Sequence, residues 1–453
     1  MKHLVLLSAF LFLIQTNAQC WQSIASGDAH TVAIATNGSL WTWGENYIGQ
    51  LGDGTYINKM VPTHIGTNTD WGSVAAGYRR TFALKTDGTL WAWGDEGGAG
   101  LGDNGNFSDN IPTHIGTATN WQSIACGQSH ATALKTDGTI WTWGSNGYGQ
   151  LGNGTLNDII YPTQMGTDSN WYYNTAGYSC SIAIKTDGTL WEWGENSSGQ
   201  LGDGTTTDRS IPTQVGTDSN WQSVSCGNAH MLAIKTDGTL WVWGLNSSGQ
   251  LGDGTNTDRH IPTQIGSDTD WQSVAGGAFH SMALKTNGTL WTWGLNSNGE
   301  VGNGTTLPIN VPTQIGTASN WQIIAANLRR SNAIRSDNSL YTWGFNYYGQ
   351  VGDGTNASKF SPTLIVCPAL STVEVTEDKP FSVYPNPVST LLHIKKTMHQ
   401  SIEKIIITDL SGKKVLEQAG ESSEINVQHL QRGMYLLQVF IDGGSYGDKF
   451  IKE

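Results

Sequence analysis

The chain has 453 residues, 57 of them Gly and 20 of them Trp, with a formal net charge of −13. Only 13% of the residues are charged, which excludes a disordered chain, and the absence of a Gly-X-Y period excludes collagen. Because a phosphate backbone repels an acidic protein, a nucleic-acid partner is also excluded.

The first 18 residues have the three parts of a secretory signal peptide. Lys2 and His3 give a basic start, an apolar run covers 4–14, and Thr16 and Ala18 place small residues before a cleavage site. A buried N-terminal strand or helix is the alternative. The apolar run is too short for a membrane anchor, so we expect a mature chain from Gln19 with no transmembrane segment. Export also places the chain where disulfides form.

Seven units of 50 residues follow the signal. Trp recurs at every fiftieth residue from Trp21 to Trp321, so residues 21–370 form seven repeats without insertion or deletion. Repeat positions are numbered here from this Trp as position 1. Position 23 is also Trp in all seven units, and position 21 is Trp in six and Tyr341 in the seventh. Every Trp of the chain is therefore a repeat position.

Each unit has four short β-rich runs separated by turn signals, and no run has a helical apolar period. Thr86–Thr89, for example, is a Thr-Asp-Gly-Thr hairpin turn between two alternating segments. The runs predict strands at positions 2–6, 11–15, 19–23 and 42–45. Seven such units predict an all-β fold, a seven-bladed β-propeller over residues 19–370. A linear solenoid is the alternative, but it needs atypical capping repeats, and the first unit is as regular as the middle ones.

The repeat motifs Gly-x-x-His-x-x-Ala-Leu, Trp-x-Trp-Gly-x-Asn and Gly-Gln-Leu-Gly-Asp-Gly-Thr occur together, as in residues 141–155. They resemble the repeats of the regulator of chromosome condensation family, which implies a seven-bladed propeller. The best-known member of that family exchanges nucleotide on a small GTPase, through an insertion, and binds chromatin. Uniform units leave no room for that insertion, and residues 19–373 carry 14 basic and 26 acidic side chains. Nucleotide exchange is therefore not expected here.

No residue set in the repeats predicts catalysis, a metal or a cofactor. Position 10 holds His30, His130, His230 and His280 on separate blades, too far apart to share one ion, so each is expected to hydrogen-bond within its own blade. The repeated Asp-Gly of Gly-Asp-Gly-Thr lacks the alternating carboxylates of a calcium loop. We predict that the protein is not an enzyme. A polysaccharide-active enzyme with acids converging from different blades remains an alternative.

Two connections of each blade, at positions 8–10 and 25–40, should open on the same face of the ring. Aromatic and Arg side chains there resemble the anchors of binding interfaces. The candidate ligand-binding residues are Tyr78, Arg79, Arg80, Tyr178, Phe279, Arg329 and Arg330, with Tyr47, Tyr148, Tyr347 and Tyr348 nearby; Leu328 and Phe345 vary at the same positions. They predict a non-catalytic binding module for an extracellular protein or glycan, with Arg pairs that suit an anionic or aromatic-accepting partner. A structural or adhesive surface component is a further alternative.

Two of the five cysteines lie where the ring would close. Cys20 precedes the first unit and Cys367 is at position 47 of the seventh, and in other units the corresponding positions span a short turn. We predict a Cys20–Cys367 disulfide. Cys126, Cys180 and Cys226 should be free, buried thiols, because blades two apart are too distant to be bridged.

After the repeats, residues 371–380 are polar and predict a linker. Residues 381–453 are β-rich and predict a small antiparallel β-sandwich. The Tyr-Pro-Asn-Pro motif at 384–387, the Gly-Met-Tyr motif at 433–435 and the Lys-Phe-Ile-Lys motif at 449–452 resemble the C-terminal sorting domain of type IX secretion in Bacteroidetes-type bacteria. The resemblance implies the type IX machinery as a partner and a protein that is surface-displayed or released.

Overall fold

A computed structural model describes residues 20–95, 100–103, 108–367, 381–396, 401–409, 414–420, 423–441 and 444–453. The predicted signal peptide at 1–18 and the predicted linker at 371–380 lie outside these residues. The chain divides into two compact units, one ending at Pro368 and the other beginning at Ala369.

The first unit consists of 28 strands in seven antiparallel sheets of four, and each strand pairs with the next one in the chain. Blades 1 to 3 contain β1 (Trp21–Ser26), β2 (His30–Ala35), β3 (Leu40–Gly44), β4 (Lys59–His64), β5 (Trp71–Ala76), β6 (Arg80–Lys85), β7 (Leu90–Gly94), β8 (Asp109–His114), β9 (Trp121–Cys126), β10 (His130–Lys135), β11 (Ile140–Gly144) and β12 (Ile159–Gln164). Blades 4 and 5 contain β13 (Trp171–Ala176), β14 (Cys180–Lys185), β15 (Leu190–Gly194), β16 (Arg209–Gln214), β17 (Trp221–Cys226), β18 (His230–Lys235), β19 (Leu240–Gly244) and β20 (Arg259–Gln264). Blades 6 and 7 contain β21 (Trp271–Gly276), β22 (His280–Lys285), β23 (Leu290–Gly294), β24 (Ile309–Gln314), β25 (Trp321–Asn327), β26 (Arg330–Arg335), β27 (Leu340–Gly344) and β28 (Lys359–Ile365).

The sheets form a closed ring, which confirms the predicted fold class. The first strand of each blade contacts the first strand of the next, and β1 contacts β25 in the same way. In the first blade, the first three predicted strands agree with the structure to within one residue at each end, whereas the fourth begins three residues early, at position 39. In the first blade, the register between the third and fourth strands shifts between Thr42 and Gly44. As a result, Gly44 pairs with Lys59.

Trp at position 23 joins each blade to the preceding one. Trp193 is fully buried, and its Nε1 donates a hydrogen bond to the backbone carbonyl of Gln150 at 2.9 Å. Gly152 makes room for the indole, since a Cβ there would lie 2.7 Å from Trp193 Nε1. Large aromatic side chains therefore fill the space between neighbouring blades.

His at position 10 also joins two blades, so the expectation of a bond within its own blade is wrong. His30 Nε2 lies 2.9 Å from Thr81 Oγ1 of the next blade, and the Thr81 hydroxyl donates to the carbonyl of Gln50. The Thr81 oxygen therefore accepts from His30, whose Nε2 carries the proton. The same contact joins His130 to Ser181, His230 to Ser281 and His280 to Ser331.

Position 10 is His where position 11 of the next blade has a hydroxyl, with one exception. Arg80 precedes a blade with Ala131 at position 11, and Cys180 precedes one with Met231. The exception is Arg330, which precedes Thr31 and donates to the carbonyl of His30 at 2.7 Å. Except at Arg330, the residue type at position 10 therefore depends on whether position 11 of the next blade has a hydroxyl.

A disulfide between Cys20 and Cys367, the pair expected from the sequence, closes the ring with a Cα–Cα separation of 5.9 Å. Among the described strands, each blade consists of four consecutive strands, so no blade is shared between the two ends of the propeller. Cys126, Cys180 and Cys226 are free, and Cys126 is half-buried rather than buried. Burial raises the pKa of the Cys126 and Cys226 thiols to about 12, so both are protonated at neutral pH.

Replacing Cys20 by serine is expected to lower the free energy of unfolding by about 2–4 kcal/mol, because the bond restrains a very long loop in the unfolded chain. Urea denaturation of the oxidised mature protein measures this loss, and Cys126→Ala, which removes a free thiol, is the control. Equal stability of the Cys20→Ser variant and the oxidised parent would contradict the prediction, as would an unlinked Cys20 peptide in a non-reducing digest.

The second unit is an antiparallel β-sandwich of two sheets. One sheet has the order β29 (Phe381–Tyr384), β30 (Leu391–Lys396) and β33 (Glu424–Asn426); the other has the order β32 (Lys414–Ala419), β31 (Ile402–Asp409), β34 (Gly433–Ile441) and β35 (Gly444–Lys452). Ile394, Ile405, Leu437 and Phe450 are buried in one core between the sheets. The expected sandwich is therefore present.

Candidate functional site: the mouth face

The connections at positions 7–9 and 25–38 lie at one end of the ring, called here the mouth face. Within a blade, a backbone hydrogen bond links the two connections. In the first blade, the Glu45 amide donates to the carbonyl of Ala29 at 2.8 Å. A cavity of about 330 Å³ opens in the centre of this face. Its rim is formed by position 8 of all seven blades: Asp28, Tyr78, Gln128, Tyr178, Asn228, Ala278 and Leu328.

Most of the candidate residues lie on the mouth face with their side chains accessible. Tyr47 and Tyr347 are 58% and 66% exposed. Tyr148, Tyr178 and Arg329 are also exposed, whereas Tyr78, Arg79, Phe279 and Tyr348 are half-buried. The structure thus places these nine residues where a ligand could contact them.

Arg80 and Arg330 are not surface residues, and their assignment to the exposed set is wrong. They are only 2% and 1% exposed, because position 10 points into the interface between blades. Arg330 donates to backbone carbonyls of the first blade, and burial lowers its pKa to about 9. The Arg80 guanidinium fills the space beside Gly100, where any side chain would collide with it.

The remaining positive charge on the mouth face is compensated by acids. Arg79 Nε lies 3.6 Å from Glu45 Oε2, and that oxygen also accepts a hydrogen bond from Gln50 Nε2 at 3.0 Å. Asp28 lies within the electrostatic reach of Arg330, Arg79 and Arg329. Burial raises the pKa of the Asp28 and Glu45 carboxyls, and the arginines oppose that rise.

Apolar side chains predominate around the mouth in blades 5 to 7, where Arg329 at position 9 of blade 7 is the exposed charged residue among the positions considered. Positions 9 and 25 are joined there by the same backbone bond, from Leu245 to Ala229 and from Leu295 to Phe279, each at 2.7 Å. We call this set the apolar arc: Ala229, Leu245, Phe279, Leu295, Leu328 and Phe345. All six are half-buried, so part of each side chain faces solvent.

Blades 1, 2 and 4 have carboxylates at positions 8 or 25, whereas blade 3 has Gln128 and Ser145 there. We call the set of Asp28 at position 8 with Glu45, Asp95 and Glu195 at position 25 the acidic arc. The sequence prediction missed this arc as well as Leu245 and Leu295. The signal was available, because position 25 reads Glu, Asp, Ser, Glu, Leu, Leu, Phe along the seven units.

An aromatic cluster extends the apolar arc across the seam between blades 7 and 1. Phe345 and Tyr347 stack with ring centroids 6.5 Å apart, Tyr347 meets Tyr348 at 5.0 Å, and Tyr348 meets Tyr47 at 6.0 Å. These separations are those of favourable aromatic pairs. The candidate residues Tyr47, Tyr347 and Tyr348 therefore form one group.

The opposite face repeats one arrangement instead of varying. Lys185 Nζ lies 4.7 Å from the Trp171 ring and 4.3 Å from the Trp191 ring, and 2.7 Å from Asp168. A cation at position 15 stacks on the rings at positions 1 and 21 in every blade from the second to the seventh. Chemical variation between blades is therefore concentrated at the mouth.

Within the described residues, no group of three or more His, Cys, Asp or Glu side chains is arranged to hold a metal ion.

Burial lowers the pKa of His30, His130 and His230 to about 3 and that of His280 to about 4. In the part of the chain that the structure describes, no helix is long and apolar enough to cross a membrane.

A closed ring of seven four-stranded blades with one variable mouth defines a repeat propeller. The model of the RCC1-like domain matches residues 10–220 and 175–379, so the chain belongs to the RCC1-like domain family. The model of the secretion system C-terminal sorting domain matches residues 382–453. The sorting domain indicates a protein of a Bacteroidetes-type bacterium that is secreted or held at the cell surface through type IX secretion.

Solved structures share the propeller fold at low sequence identity. Human WBSCR16 aligns with a TM-score of 0.67 and 22% identity, over 73% of this chain and 95% of its own. Prp20p from Saccharomyces cerevisiae, described with its binding to Gsp1p and histones, aligns at 0.62 and 23%, over 70% and 84%. Yeast RCC1 (Prp20) with Kap60 bound aligns at 0.65 and 21%, over 79% and 89%.

Proposed function

We propose that this protein is a non-catalytic binding module for an extracellular protein or glycan, and that the mouth face is its ligand surface. One observation carries the proposal: side-chain chemistry changes from blade to blade at positions 8, 9 and 25, while the opposite face repeats a single arrangement. A face that served only to hold the ring together would not need this variation.

Three further features support binding at this face. Exposed Tyr and partly exposed Arg are typical of interface anchors, and Tyr47, Tyr347 and Arg79 provide them. In the described part of the ring, Arg80 and Arg330 are buried and add no positive charge to the surface, which argues against histones or nucleic acid as the ligand. The sorting domain supplies the route to the surface through the type IX machinery.

Binding is tested by screening the labelled mature protein against immobilised glycans and purified secreted proteins, then titrating each ligand found. Tyr347→Ala and Tyr47→Ala are each expected to weaken binding at least tenfold, because both remove exposed rings from the aromatic cluster. Gln272→Ala is the matched control, since Gln272 is exposed at position 2, at the opposite end of the ring.

Loss of affinity in Gln272→Ala with full affinity in Tyr347→Ala would contradict the proposal. Release of reducing sugar from a polysaccharide, abolished by Glu45→Gln, would support the enzymatic alternative instead, since Asp28 and Glu45 are the acids with raised pKa at the mouth.

A further inference from the structure

We propose that the ligand is a neutral glycan, whose terminal sugar enters the central cavity of the mouth face while the following sugars lie on the aromatic cluster. This inference rests on the proposed function, which it narrows to one class of ligand and one direction of binding. It follows from the rim of the cavity, from its size and from the residues that connect it to the cluster.

The rim of the cavity offers the hydrogen-bonding groups and aromatic rings that bind a sugar. From blade 1 to blade 5, position 8 is an acid, a tyrosine, an amide, a tyrosine and an amide: Asp28, Tyr78, Gln128, Tyr178 and Asn228. All five are at least partly exposed, so their carboxylate, hydroxyl and amide groups can reach a ligand. Sugar hydroxyls both donate and accept hydrogen bonds, and the C–H faces of a sugar ring pack on aromatic rings. The rim can therefore satisfy both surfaces of a sugar.

Backbone hydrogen bonds between neighbouring blades hold this rim in place before a ligand binds. The Asp28 amide donates to the carbonyl of Tyr78 at 3.2 Å, and the Gln128 amide donates to the carbonyl of Tyr178 at 3.1 Å. The Asn228 amide donates in the same way to the next blade, at 3.4 Å. A rigid rim reduces the conformational entropy lost on binding, which matters for a ligand as flexible as a glycan.

The cavity accommodates the end of a glycan rather than its middle. Its volume of about 330 Å³ is at the small end of ligand pockets, which suits a terminal sugar. Its inner wall includes small residues such as Ala75, Ala125 and Ala326, which leave room for a sugar ring. Because position 8 of all seven blades surrounds the opening, a chain enters the cavity end-on.

Charged groups beside the cavity are matched within the chain, which favours a neutral ligand. Asp28 lies within the electrostatic reach of Arg79, Arg329 and Arg330. Arg79 Nε also lies 3.6 Å from Glu45 Oε2. An acidic sugar would compete with these carboxylates for the arginines, and a cationic ligand would compete with the arginines for the carboxylates. A ligand of either charge would therefore have to displace an existing partner.

Glu45 connects the rim of the cavity to the aromatic cluster. It lies within the electrostatic reach of Asp28 at the rim, and Tyr348 of the cluster lies within the electrostatic reach of Glu45. Tyr348 in turn contacts Tyr47 and Tyr347, whose rings are exposed. Sugars beyond the terminal one would pack their C–H faces on these rings. The mouth face thus provides one site for the end of a glycan and a second for the sugars that follow.

Titration calorimetry of the full mature chain with neutral gluco-, manno-, galacto- and xylo-oligosaccharides of one to six sugars tests this inference. At least one series is expected to bind, with an affinity that rises with chain length and changes less than twofold as salt is added. Asn228→Leu, which removes the amide and keeps the side-chain volume, should weaken every member of that series at least tenfold. Tyr347→Ala should weaken only the longer members, because only they reach the aromatic cluster. Gln272→Ala, at the opposite end of the ring, should change affinity less than twofold.

Absence of binding to every neutral series, tighter binding of acidic oligosaccharides, or equal weakening of the shortest and longest members by Tyr347→Ala would overturn the inference. Thermal melting of each variant separates lost binding from lost folding. Tyr78→Phe gives a second test of the rim, because it removes one hydroxyl and keeps the ring. If a secreted protein binds and is lost in Tyr347→Ala while no glycan binds, the inference fails and the proposed function stands. If every ligand binds at the face that carries Gln272, both fail.

Discussion

Replacing Trp193 by alanine is expected to lower the free energy of unfolding by about 3–5 kcal/mol. The indole is fully buried between blades 3 and 4, and its removal leaves a cavity and takes away one of the two hydrogen bonds that the Gln150 carbonyl accepts. Urea denaturation of the mature protein measures the change. Trp191→Ala is the matched control, because Trp191 is half-buried on the same strand. Its loss should be less than half as large, and equal losses would contradict an interblade role for Trp193.

Stability is also expected to fall steeply as the pH drops below about 6.5. Burial holds the pKa of four histidines at about 3 to 4 in the folded chain, below the value of about 6.5 in the unfolded chain. Between these values the unfolded chain binds more protons, so each histidine contributes stability above pH 6.5 that is lost as the pH falls. Each loss is about 1.4 kcal/mol per pH unit.

Glu192 acts in the opposite direction and offsets one histidine. Its carboxyl is fully buried, and burial raises its pKa well above 4.5, so its contribution is present at low pH and lost as the pH rises. Asp28 and Glu45, whose pKa values are also raised by burial, oppose the histidines in the same direction, so the net slope is smaller than the four histidines alone would give. Urea midpoints at pH 7.5, 6.5, 5.5 and 4.5 measure it. His280→Gln should reduce the slope and Glu192→Gln should increase it; a flat profile would show that the histidines are not buried neutral.

The closed ring was predictable because its contacts repeat with the sequence. The 50-residue period and the positions of Cys20 and Cys367 are visible in the chain itself. The burial of Arg80 and Arg330 was not predictable from residue type, since arginine is rarely fully buried. For Arg330 it follows from the carbonyls of Gly27 and His30 in the neighbouring blade, which are not apparent when each unit of the sequence is considered alone.

The two arcs were missed for a different reason. Leu245 and Leu295 are unremarkable leucines within their own units, and only the order of blades around the ring makes them neighbours of Leu328 and Phe345. Reading each repeat position around the ring, rather than each unit along the chain, would have revealed both arcs. The prediction instead gave weight to Tyr and Arg, which are the commonest interface anchors.

The contact at position 10 has a consequence for how such a ring can change in length. His meets a hydroxyl at the interfaces between blades 1 and 2, 3 and 4, and 5 and 6, whereas Arg80 and Cys180 occupy the interfaces between these pairs. Over the first six blades the interface chemistry therefore has a period of two units. Deleting the second or the fourth blade alone would set His30 against Ala131 or His130 against Met231, while deleting the second and third blades together would set His30 against Ser181. Tandem duplication and blade grafting should accordingly succeed in steps of two blades. The seventh blade contacts His280 of the sixth blade on one side and the first blade on the other. It is the blade that makes the total odd.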